Sequence, residues 1–183
     1  MILDTNALSA FADGVPPVVQ HIAAADELHI PVIVLGEYRF GIATSRRRRE
    51  YEAWLARGRA FWNVLPVVEE TATHYASIRE QLKRAGVPLP ANDVWIAALA
   101  RQHDLPVLSR DTHFDAVPGL TRLSWTKHVA SLFKPRIEQV WVCSYTTQRL
   151  LSWPARHAAG ALGRRGRAGD LRWLRYCLVM VPL

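Results

Sequence analysis

Two features of this 183-residue sequence predict an α/β fold. Short apolar runs of strand length, "MIL", "LHIPVI", "NVLPVV" and "PVLS", alternate with longer segments of helical character. Strands that alternate with helices pair into a mostly parallel sheet layered between those helices. Half of the residues are hydrophobic. That is enough to build a sizeable core in one ordinary domain, with a stretch of chain left over.

Taken in order, "MILD" reads as a buried strand ending in Asp4, and "TNALSAFADG" as a helix with Thr5 or Asn6 near its cap and Gly14 at its stop. Pro16-Pro17 opens a second helix to about Asp26. "LHIPVIVLGEYRFGIA" holds a strand around Leu28–Ile33 and then a helix carrying Glu37. "SRRRREYEAWLARGRAFW" is helical, with Arg46/Glu50 and Arg48/Glu52 at i,i+4 spacing. After the strand-like "NVLPVV", the segment "EETATHYASIREQLKRAG" leads with acids, trails with bases and closes on Gly86, the mark of a helix aligned with its dipole. A Pro-rich loop precedes a helix over Asp93–Gln102. The strand "PVLS", a turn at Asp111 and a last strand in "LTRLSW" complete the series.

Charge divides the chain at about residue 126. Residues 1–126 carry 13 basic and 14 acidic side chains, a net of −1; residues 127–183 carry 10 and 2, a net of +8. The net charge of +7 therefore belongs to the extension, and the body is nearly neutral. The extension mixes Trp, Arg, Gly and Pro without a sustained period, so it reads as poorly structured or partly helical. It is either a basic arm for nucleic acid or a stretch never selected as protein, from frameshift or read-through. Both cysteines, Cys143 and Cys177, lie in it without metal-site spacing, which argues against zinc. No apolar run is long enough to span a bilayer, and a cytoplasmic protein without membrane contact is expected. The absence of a G-x-x-x-x-G-K-[ST] loop argues against ATP hydrolysis.

Four carboxylates stand out. Asp4 and Asp111 each follow a predicted parallel strand, at the edge where open α/β sheets bind ligands. Asp93 opens the helix that feeds the Asp111 strand, and Glu37 lies early in the helix after the second strand. Singly, each Asp is also an ordinary cap or turn former. Glu37 is embedded in an apolar segment where an exposed charge serves no purpose. Four converging carboxylates would repel one another, and a hard divalent cation resolves that conflict.

The segments "MILDTNALS", "LGEYRFGI", "PANDVWIAALARQHDLPVLSRDTHFDAVPGL" and "LSW" resemble a PIN-domain ribonuclease, specifically the VapC-type toxin of a type II toxin–antitoxin pair. The likeness runs in order from Met1 to about Trp125. It implies a PIN nuclease domain over residues 1–126, an α/β/α sandwich, followed by the basic extension 127–183. It further implies that Asp4, Glu37, Asp93 and Asp111 are catalytic and hold Mg²⁺, for which Mn²⁺ can substitute. Thr5, Asn6, Ser109 and Asp115 resemble the polar residues that support such a site. The expected activity is endoribonuclease cleavage of structured RNA such as tRNA or rRNA, inhibiting translation. A cognate antitoxin and a homodimer are the expected partners. The alternatives are an RNA-processing PIN nuclease without an antitoxin and a non-catalytic RNA-binding domain. Arg46, Arg47, Arg48 and Arg49 read equally as a solvated helix face and as phosphate contacts along RNA. Trp54, Phe61 and Trp62 are expected in the core or at a dimer contact and Trp95 in the core, and His113 lies near enough to Asp111 to join the site.

Overall fold

The computed structural model describes residues 1–125, and the extension 127–183, with the readings made of it, lies outside the described residues. The elements are β1 (Ile2–Leu3), α1 (Thr5–Ala12), α2 (Pro16–Ala24), β2 (His29–Pro31), α3 (Val32–Ile42), α4 (Arg48–Gly58), β3 (Asn63–Leu65), α5 (Glu69–Ala85), α6 (Ala91–Gln102), β4 (Val107–Leu108), a 3₁₀ turn (Thr112–Ala116) and β5 (Arg122–Leu123). The five strands form one parallel sheet in the order β3-β2-β1-β4-β5. From β1 the chain first builds outward through β2 to β3, then returns to add β4 on the other side. With right-handed crossovers, that reversal puts α1–α4 on one face and α5–α6 on the other. It also opens a crevice between the carboxyl ends of β1 and β4, the place where such sheets bind ligands.

β1, β2 and β4 are fully buried, which is why they read as apolar runs rather than alternating ones, whereas β3 and β5 at the two edges are partly exposed. Ile2, Leu3, Ile30, Val107 and Leu108 are solvent-inaccessible. On them pack Leu8 and Phe11 of α1, Val34 of α3, Ile78 of α5 and the Val94, Ile96, Ala97, Ala98, Leu99 stretch of α6. Trp54 and Trp62 belong to this core, packed against Phe11 at ring distances of 5.4 and 6.4 Å. Phe61 is partly buried against it, whereas Trp95, expected in the core, is only half-buried and stacks on Tyr75 of α5 at 4.0 Å. Gly86 ends α5 in the left-handed conformation (φ 68°) that favours glycine. Among the described residues, no helix is long and apolar enough to cross a membrane.

Several local expectations are corrected. Val32 and Ile33 belong to α3 rather than to the preceding strand, because Pro31 is followed directly by the first helical turn. The cap of α1 is Asp4, whose carboxylate accepts from Thr5 N, and not Thr5 or Asn6. α6 starts at Ala91 with Pro90 at its cap, so Asp93 lies inside the first turn and caps nothing. α4 starts only at Arg48, which leaves Arg46 outside the helix, and neither expected i,i+4 pair forms. Glu50 pairs with Arg47 at 2.7 Å and Glu52 with Arg39 of α3 at 3.3 Å.

Candidate functional site

Strand register places the first two acids. Ile2 is opposite Val107 and Leu3 opposite Leu108, so the next residues out, Asp4 and Ser109, meet at the carboxyl edge. Ser109 Oγ donates to Asp4 Oδ2 at 2.6 Å, and Asp111 N donates to Ser109 Oγ at 3.0 Å. Asn6, in the first turn of α1, reaches across the crevice. Its Nδ2 contacts Asp4 Oδ2 at 2.5 Å, Asp111 Oδ2 at 2.9 Å and Ser109 Oγ at 3.1 Å. Its Oδ1 accepts from Arg110 N at 3.2 Å. One neutral amide thus bridges two carboxylates that follow β1 and β4.

The other two acids arrive by helix packing. α3 lies against both α1 and α6. Glu37 of α3 accepts from Thr5 Oγ1 on one side and from Asn92 Nδ2, at 2.5 Å, on the other. Asp93 Oδ2 lies 2.8 Å from His113 Nε2. That nitrogen is buried and not aligned for a hydrogen bond, so the contact is one of charge when the imidazole is protonated.

The electrostatics record a crowded acidic site. Asp4 is 3% exposed, and burial pushes its carboxyl up to about 6. Hydrogen bonds from Ser109 and Thr5 N oppose the rise, while the charges of Asp93 and Asp111 add to it. Burial likewise raises Asp93; His113 opposes that, and Glu37 and Asp111 reinforce it. The four carboxylates are therefore electrically coupled, each to at least one other.

The supporting residues divide. Thr5, Asn6 and Ser109 touch the carboxylates directly. Asp115 is instead held by Arg122, which donates through Nε and Nη2 at 2.7 Å each and through Nη1 to Ser109 O at 3.1 Å. Arg46, Arg48 and Arg49 are exposed, and no contact among the described residues links the arginine run to the acids. Sequence reasoning missed Asn92 and Arg122. Asn92 stands beside Asp93 in the quoted "ND", but its partner is 55 positions away, and no local pattern announces that contact.

Among the described residues no three acidic or histidine side chains are closed into a metal cage. The donor set nevertheless fits a small hard cation. Mg²⁺ prefers oxygen, keeps several waters, and is usually held by one or two carboxylates together with substrate phosphate. Asp4 and Asp111, spaced by Asn6, provide such oxygens.

A PIN-domain family profile matches residues 1–120. Ribonuclease VapC5 of Mycobacterium tuberculosis is 32% identical over 121 residues, spanning 64% of this chain and 87% of that protein. Toxin FitB of Neisseria gonorrhoeae is 32% identical over 126 residues, 61% of this chain and 88% of that protein. The crystal structure of VapBC-5 from Mycobacterium tuberculosis, a member of the VapBC family of toxin–antitoxin systems, superposes with a TM-score of 0.52 at 29% identity. It covers 67% of this chain and 94% of that one. With the parallel sheet, the acidic crevice at its strand reversal and a profile match over most of the chain, this protein belongs to the PIN-domain family, in its VapC-type branch.

Proposed function

We propose that this chain is a Mg²⁺- or Mn²⁺-dependent endoribonuclease and the toxin of a toxin–antitoxin pair. The observation that carries the reading is the Asn6 bridge between Asp4 and Asp111 at the β1/β4 crevice. It holds two carboxylates in place in a chain whose relatives are named ribonucleases and toxins. Asp4, Asp93, Asp111 and Glu37 are the residues that would hold the ion. A divalent cation bound there supplies Lewis-acid polarisation of a phosphoryl oxygen and a more acidic water.

The chain's own residues do the rest. Asn6 and Ser109 fix the direction of the Asp4 and Asp111 oxygens and damp their repulsion. Thr5 and Asn92 hold Glu37 from two sides, which keeps its carboxylate at the crevice instead of in solvent. Asp93, half-buried with His113 Nε2 2.8 Å from its Oδ2, adds a fourth carboxylate to the set. No covalent nucleophile is required.

The antitoxin partner, a homodimeric assembly, a cytoplasmic location and the inhibition of translation belong to the same proposal. The antitoxin partner is supported by the likeness to VapBC-5, a member of a family of toxin–antitoxin systems. A structured RNA of the tRNA or rRNA class is the proposed substrate. The experiment is to induce wild-type and Asp4→Asn protein in cells and map new RNA ends by sequencing, with purified protein assayed alongside. Cleavage is expected to stop in EDTA and return with Mn²⁺. Full cleavage in EDTA would overturn the metal dependence, and identical RNA ends from both proteins would overturn the nuclease.

A further inference from the structure

Arg110 stands between Ser109 and Asp111, and its backbone N–H donates to Asn6 Oδ1, so it lies on the rim of the acid cluster. Its side chain is exposed, with the guanidinium carbon 5.5 Å from the centre of the Trp125 ring. Trp125 is only 7% exposed and follows β5, which makes its indole a fixed shelf at the carboxyl edge of the sheet. Stacking occupies the flat face of a guanidinium and leaves the N–H donors around its rim available.

Other arginines among the described residues are engaged differently; Arg79, for one, donates to Leu89 O. Arg122 is forked onto Asp115, Arg39, Arg47 and Arg84 pair with glutamates, and Arg101 donates to Pro118 O and Gln81. Among the described residues, the Arg110 guanidinium has a ring beneath it but no carboxylate partner. A cluster of carboxylates repels a polyanionic strand, so a cation held over Trp125 beside Asp111 answers a need the acids create.

We propose that Arg110 binds a phosphate of the RNA strand next to the bond being cut, with Trp125 as the platform that fixes the guanidinium. This rests on the ribonuclease reading above and deepens it by naming a substrate contact. Arg donates to phosphate in a planar fork, and a stacked guanidinium loses little freedom when it does so. The competing role is structural, a cover that keeps water from the Trp125 ring.

The test uses the full chain and a short mixed-sequence single-stranded RNA. Wild-type, Arg110→Gln and Arg110→Lys proteins are compared for kcat and KM in Mn²⁺, and for RNA binding in EDTA across a salt series. Arg110→Gln is expected to raise KM about tenfold with kcat little changed, the size of one charge-assisted hydrogen bond. Its slope of log affinity against log salt should fall by about 0.7, one phosphate contact on a single strand. Arg110→Lys should restore the slope while recovering KM only in part. A Gln variant that keeps the wild-type KM and slope but melts earlier would identify a cover for Trp125 and overturn the proposal. Wild-type protein that neither binds nor cleaves RNA would overturn the ribonuclease reading, and this inference with it.

Discussion

Asp4 concentrates the conflict of the site in one side chain, because it is buried, caps α1 and is charged beside two other acids. Its carboxyl stands at about 6 in the folded chain against an ordinary 3.8. The folded protein therefore binds more protons there than the unfolded chain does. In metal-free protein this contribution to stability is fully present below about pH 4 and is lost as pH rises through about 6, a change on the order of 3 kcal/mol. Asp4→Asn should flatten that part of a metal-free stability–pH profile measured by urea unfolding, while abolishing RNA cleavage. Its net gain at neutral pH will be smaller than the titration alone implies. Asn6 Nδ2 and Ser109 Oγ both donate to Asp4 Oδ2, and an amide nitrogen in that position cannot accept from them. Asn6 has the complementary role. Asn6→Ala should lower cleavage by about tenfold or more, the usual cost of losing a partner that orients ligand carboxylates. Asn6→Asp, which adds a charge between Asp4 and Asp111, should lower it further; equal cleavage by the two variants would count against the bridge.

At the scale of elements, the site depends on helices being held at fixed heights against the sheet. α3 carries Glu37 between α1 and α6, and α4 closes over the end of α1 through aromatic contacts of Phe11, Trp54 and Trp62. Gly58, the last residue of α4, makes that closure possible. A Cβ built there would fall 1.6 Å from the Trp62 ring. The ring has little room to retreat, because Trp54 lies 5.4 Å away on one side and Phe11 6.4 Å on another. Gly58→Ala should therefore destabilise the domain by roughly 1–3 kcal/mol, as overpacked cores do, measured as a lower urea midpoint. An unchanged midpoint would mean that this aromatic group repacks freely.

For the whole molecule the decisive contrast is between the nearly neutral body and the extension with its net charge of +8. The described residues, 1–125, hold a core, a five-stranded sheet and the acid cluster. A chain ended at Thr126 is accordingly expected to melt cooperatively and to cleave RNA at low salt with little loss. If the shortened protein stayed folded but lost most of its cleavage at moderate salt, the extension would be a phosphate-binding arm, since such contacts weaken steeply with salt. Failure of the shortened protein to fold would place part of the extension in the core. A sedimentation measurement on the same proteins tests the proposed homodimer.

What the sequence determined by itself is what periodicity and punctuation encode. The alternation of strands and helices, the two-faced burial of "MIL" and "PVLS", and the stop at Gly86 all follow from local pattern, and the structure has each of them. The four acids were legible as candidates because strand ends and helix starts in an α/β chain face one edge. What lay beyond local pattern was who touches whom. Asn6 meets Asp111 across 105 positions, Asn92 meets Glu37 across 55, and Arg122 takes the fork of Asp115 away from the acids. The caps of α1 and α6 and the partners of Glu50 and Glu52 also had to wait for the fold. Those outcomes depend on where a helix begins to within one residue, and on strand register and helix packing, which bring distant residues into contact. Local preferences differ there by less than the energy that tertiary packing commits, so the tertiary structure decides.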